Sequence, residues 1–146
     1  MEHRTYYALY CAVVVSLGGF VFGFDAAVIS GVVGFVTVEF DLTPIQSGFV
    51  VAAPTLSGVF GTLVIGPLSD AFGRKKVLFL IALLYLLSAI ASAFASSYMM
   101  LVIARASGGL AFTSLIIAPM YIAEIAPAKL RGQLVSINQL NIVVGL

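Results

Sequence analysis

Long apolar runs, separated by short polar segments, divide the chain. A membrane-spanning helix needs about 20 mostly apolar residues. The runs at about 6–36, 45–66, 77–95 and 99–125 reach that length, and a fifth begins near residue 133 and is still in progress at Leu146. The segments between them, TVEFDLTP, GPLSDAFGRKK, SSY and APAKLRG, are brief and rich in turn formers or charge. The pattern predicts an all-α membrane protein with four complete transmembrane helices and the start of a fifth. Gly19 and Gly23, Gly58 and Gly61, and Gly108 and Gly109 lie inside spans, where small residues let helices pack closely. Pro54 and Pro119 also lie inside spans; each removes a backbone hydrogen bond and favours a kink.

Composition agrees with this reading. Hydrophobic residues make up 62% and charged residues 9% of the chain, and the mean hydropathy is +1.17. Soluble domains carry about 25% charge, so this chain has too few polar groups to cover a surface facing water. The single cysteine, Cys11, permits no intramolecular disulfide and reads as a small apolar residue of a span. The first apolar run is longer than the roughly 7–15-residue core of a cleaved signal peptide, so it reads as a retained span.

The distribution of charge sets an orientation. Arg4 precedes the first span, Arg74, Lys75 and Lys76 separate the second from the third, and Lys129 and Arg131 separate the fourth from the fifth. Six of the seven basic residues therefore fall on one side. By the positive-inside rule that side is cytoplasmic, which places the N-terminus inside a multi-pass protein of the cell membrane. The run at 74–76 reads as an inside anchor, not a nucleic-acid patch. No enzyme motif, metal-ligating cluster or nucleotide loop stands out, so neither an enzyme activity nor a cofactor is expected.

Two charges remain inside the spans. Asp25 lies in GFVFGFDAAVISG, at 19–31, and Arg105 lies in the fourth span. At 1.5 Å per residue, Asp25 sits roughly 18 Å below the outer end of its span and Arg105 roughly 9–14 Å below the outer end of its own. An acid and a base at similar depth can pair, and ionisable groups at such depths are functional by default. The pair would serve proton coupling if it opens and closes, or would only join two helices if it is permanent. Gln139 is an amide within the fifth run, and it requires partners across helices or in a wet cavity.

The segment GPLSDAFGRKK resembles the G-x-L-x-D-x-x-G-R-K loop between helices 2 and 3 of the major facilitator superfamily, through Gly66, Leu68, Asp70, Gly73, Arg74 and Lys75. Ala71 stands where that family usually has Arg or Lys. Gly66 and Gly73 are expected to allow a tight turn there, with Asp70 accepting hydrogen bonds from turn amides or from Arg74. PMYIAEIAPAKLRG resembles the P-x-Y-x-x-E-I-x-P-x-x-x-R-G signature of the sugar porter family within that superfamily, with Pro119, Tyr121, Glu124, Ile125, Pro127, Arg131 and Gly132 matching in spacing. The first-span stretch and SINQLNIVVGL are similar to helix 1 and helix 5 segments of the same family.

The resemblance implies roles as well as a fold. Asp25 and Arg105 would couple a proton to transport. Phe22 and Gln139 would contact the sugar. Gly66, Asp70, Gly73, Arg74, Lys75, Glu124 and Arg131 would belong to a cytoplasmic loop and gate. The chain is then expected to be a truncated N-terminal portion of a sugar–proton symporter working by alternating access, part of a six-helix half. Its partners would be a monosaccharide, the proton, the lipid bilayer and the missing C-terminal half. A facilitative uniporter with a structural Asp25–Arg105 pair, or a membrane sensor or interaction protein that moves nothing, are the alternatives.

Overall fold

The computed structural model describes residues 2–146, with side chains from residue 5 onward; Arg4, used above for orientation, lies outside the described side chains. Among the described residues the regular structure is helical, joined by short turns. The elements are α1 (Glu2–Glu39), α2 (Pro44–Phe72), α3 (Arg74–Ala93), α4 (Tyr98–Leu110), a 3₁₀ turn (Ala111–Thr113), α5 (Ser114–Ile125) and α6 (Arg131–Gly145). Four segments are long and apolar enough to cross a membrane: Thr5–Glu39, Pro44–Phe72, Arg74–Ala93 and Tyr98–Ile125. This is an all-α, multi-pass membrane protein.

Local chemistry explains the helix ends. After α1 the chain reverses within residues 40–43, where Asp41 takes φ +48° and Leu42 N–H donates to the Thr37 carbonyl at 2.9 Å. Asp is among the few residues that tolerate this left-handed region. Thr43 then caps α2: its hydroxyl accepts from Gln46 N–H while the Gln46 side chain accepts from Thr43 N–H at 2.9 Å. This reciprocal capping satisfies two otherwise orphaned amides, and Pro44 sits at the position where its missing N–H costs nothing. Ser97 caps α4 through Met100 N–H at 3.3 Å.

The turn between α2 and α3 differs from expectation. Gly66 does not open it: α2 runs through Gly66 and Pro67 to Phe72, and Gly73 alone reverses the chain, at φ +89°. A lone glycine weakens a helix without ending it, whereas a positive φ is a conformation that side-chain-bearing residues rarely adopt. The fourth span also breaks in an unforeseen place. Pro119 continues within α5, and the departure from α-helical geometry is the 3₁₀ turn at 111–113, immediately after the Gly108–Gly109 pair.

Two compact units make up the chain, and α1 contributes to both. The first comprises residues 2–27 and 114–146. Its core is Ala12, Ile122, Ala126 and Leu134, flanked by Val15, Leu130, Val135 and Ile137. Here α1 and α6 meet at their backbones. A Cβ at Gly19 would stand 2.8 Å from the Asn138 carbonyl oxygen, one at Gly23 would strike the Ile142 carbonyl, and one at Gly145 the Phe20 carbonyl. The GxxxG spacing of α1 is thus the floor of a helix–helix contact.

The second unit comprises residues 28–113. Ile29, Leu42, Val50 and Leu101 form its core, with Val36, Phe40, Ala95, Tyr98 and Val102 packed around them. Glycines again set the approach: Gly109 is pressed against Pro54 and Ser57 of α2, and Gly108 against Ser88 of α3. The Ser88 hydroxyl donates to the Ala104 carbonyl at 2.7 Å, bonding α3 to α4.

Candidate functional site

In the first unit the candidate groups lie on α1 and α6. Phe22 and Asp25 follow Gly19 on α1, and both are half-buried. Gln139 is exposed on α6, one residue beyond Asn138, which is 1% exposed. The close backbone contact at Gly19 therefore buries Asn138 and leaves Gln139, about 100° further round the helix, free to present its amide. Two residues beyond Gln139, Asn141 Nδ2 donates to Ser16 Oγ at 2.6 Å, and Ser16 Oγ donates to the Val13 carbonyl at 2.8 Å.

This seam holds polar groups that the sequence reading did not single out. Neither side-chain amide atom of Asn138 has a hydrogen-bond partner among the described residues, nor does the Ser114 hydroxyl, 4% exposed. Ser114 opens α5 and packs on Gly18, 3.7 Å from where a Cβ would stand. Cys11 is half-buried, with Tyr7 and Tyr121 against its thiol. Tyr121 of the PMYIAEIAP segment thereby touches α1, a contact that spacing alone could not reveal.

Arg105 belongs to the second unit, on α4, and is half-buried. Its Nε donates to the carbonyl of Val50 on α2 at 3.2 Å, across 55 positions of sequence. The choice of acceptor has a covalent cause. In a helix the Val50 carbonyl would receive the N–H of the residue four places on, and that residue is Pro54, which has none. The proline frees a carbonyl inside an apolar span, and the guanidinium takes it. Non-helical donors satisfying proline-freed backbone groups are how such helices are tolerated within a bilayer. The spacing of Val50 and Pro54 was legible in the sequence; that Arg105 would supply the donor was not.

At the α2–α3 turn, Arg74 Nη2 stands 3.4 Å from Asp70 Oδ1, one of the two bonding arrangements expected for Asp70. Gly73 supplies the reversal, Gly66 lies within α2 with open space beside it, and Lys75 is exposed at the start of α3. Glu124 and Arg131 are both exposed, at the end of α5 and the start of α6.

Comparison with known proteins gives one consistent answer. Residues 11–146 match the family model described as "Sugar (and other) transporter". The arabinose-proton symporter of Bacillus subtilis is 40% identical over 148 residues, covering 99% of this chain and 32% of that relative. The D-xylose transporter of Levilactobacillus brevis is 39% identical over 132 residues, covering 90% of this chain and 29% of that relative. The inward-open structure of the xylose transporter XylE from E. coli superposes with a TM-score of 0.87 at 34% identity, covering 95% of this chain and 37% of that one. The chain thus spans 32% or less of the length of these two sequence relatives.

Proposed function

This chain belongs to the sugar (and other) transporter family, and on that premise we propose that it forms part of a proton-coupled monosaccharide symporter working by alternating access. The residues supply the N-terminal part of a six-helix half, in the cell membrane, with the N-terminus in the cytoplasm. The observation that carries the reading is Asp25: a half-buried carboxylate in a 38-residue apolar helix, α1. Ionisable residues in spans are expensive, and they mark ion and proton pathways.

The chemistry follows from the groups present. Sugars offer many hydroxyls and no charge, so a site for them needs amides and aromatic faces. The exposed Gln139 amide and the half-buried ring of Phe22 are of those types. Relatives named for arabinose and xylose support a monosaccharide as the substrate class. Proton coupling needs a group that gains and loses a proton within the membrane. With Asp25 ionised, Arg105 is its counter-charge, a pairing that rests on their matching depths in the sequence. Protonation removes that attraction, the arginine is released, and the balance between inward-facing and outward-facing states shifts. Asp70, Arg74 and Lys75 around the Gly73 turn, with Gly66, Glu124 and Arg131, act on the cytoplasmic side as a gate.

The test replaces Asp25 with Asn in the whole gene product, reconstituted in vesicles. Sugar uptake that drives protons inward in the wild type is expected to lose its proton movement in Asp25→Asn. Coupling that persists in the variant rules out Asp25 as the proton carrier. Sugar movement without protons in the wild type itself selects the facilitator.

A further inference from the structure

Arg105 is the basic residue of the proposed coupling pair, and a group that it bonds in the second unit is backbone. Pro54 is buried at the α2–α4 contact, 4 residues beyond Val50, and cannot donate to the Val50 carbonyl. Arg105 Nε does so instead, at 3.2 Å. Around this point the helices leave little slack. Gly109, one turn beyond Arg105, abuts the Pro54 carbonyl and Cα, and Ser57 Oγ donates to that same Pro54 carbonyl at 3.1 Å. The Pro54 carbonyl is therefore occupied, while the Val50 carbonyl is kept for the guanidinium.

We propose that Pro54 is a positioning residue for Arg105: by withholding an N–H from the Val50 carbonyl, it reserves a fixed acceptor that orients the guanidinium on α2. A guanidinium is a rigid planar fork. Committing Nε to one carbonyl fixes the plane in which the two terminal NH₂ groups meet their own partners. A backbone acceptor suits this task. It carries no net charge, so it orients the arginine without competing as a counter-ion, and it stays in place whether Asp25 is ionised or protonated. The role in transport rests on the function proposed above; the bond between the two helices does not.

The experiment is a double-substitution cycle in the whole gene product, read first as the thermal midpoint of purified protein in detergent. Arg105→Met removes every donor of that side chain, orphans the Val50 carbonyl and lowers the midpoint. Pro54→Ala restores an N–H to that carbonyl. In the Arg105→Met background it is expected to recover at least half of the lost midpoint, because the orphan is satisfied. In the arginine background the same Pro54→Ala displaces Nε and is expected to slow uptake of labelled D-xylose, L-arabinose or D-glucose at least fivefold, with the sugar KM within twofold of wild type. Pro54→Val, which keeps more bulk, replaces alanine if the latter fails to fold. A proline that acts only by bending α2 predicts no recovery in the methionine background, and absence of recovery overturns the link. Recovery of the midpoint combined with a less than fivefold change in uptake overturns the positioning role. A wild-type protein that moves none of the three sugars overturns the transport reading and the positioning role with it, while the thermal cycle still decides the bond.

Discussion

Asn138 is the residue whose chemistry is least at rest. Its amide is buried against α1 with no partner among the described residues, and an unmet buried polar group costs about 1–3 kcal/mol. Replacing it by an apolar group of similar size removes that cost. Asn138→Leu is therefore expected to leave the thermal midpoint unchanged or raise it, and a lowered midpoint in a detergent melt would show that the amide is bonded after all. By contrast Ser16 and Asn141, bonded to each other at 2.6 Å, should resist such replacement. Polar residues inside spans can be seen in the sequence, and Gln139 was singled out that way. Which of the amides on α6 is buried, bonded or exposed depends on the angle at which the helix meets α1, and that angle comes from Gly19, Gly23 and Gly145 acting together.

At the scale of the element, helix identity was legible and helix punctuation was less so. Runs of apolar residues announced four spans, and Thr43–Pro44 with Gln46 marks the start of α2. The far end of α2 misled because both Gly66 and Gly73 are turn formers. Only Gly73 adopts a positive φ, at +89°, and Gly73 N–H closes the last turn of α2 onto the Ser69 carbonyl at 3.1 Å. Strained backbone positions cost of order 1–3 kcal/mol when a side chain is forced into them. Gly73→Ala is expected to destabilise the protein by about that amount, whereas Gly66→Ala, with open space around it, should be neutral or slightly stabilising. A detergent melt of both variants checks the contrast, and equal shifts would refute it. The 3₁₀ turn at 111–113 escaped notice for a related reason: prolines draw attention, and here the irregular turn follows a glycine pair pressed onto a neighbouring helix.

For the whole molecule, surface chemistry dominates. Phe35, Val38, Ile45, Leu63 and Phe79 are each at least two-thirds exposed, on helices long enough to cross a bilayer. So much apolar area facing outward requires a hydrocarbon solvent. The protein is expected to stay with membranes through an alkaline carbonate wash and to be released only by detergent; release by carbonate alone would contradict the membrane reading. Composition and charge alternation made this much plain before any coordinates, because a bilayer constrains sequence harder than water does.

The bond from Arg105 to the Val50 carbonyl carries a consequence for inheritance. Its acceptor is main chain, so no codon encodes it and no substitution at position 50 deletes it. Val50 is free to drift among residues of similar size while the arginine keeps its partner. The position that records the contact in the gene is Pro54, one helical turn away and bearing no polar atom in its side chain. A search for this contact among acids, amides and hydroxyls would pass over Pro54, since what that residue contributes is a hydrogen it lacks.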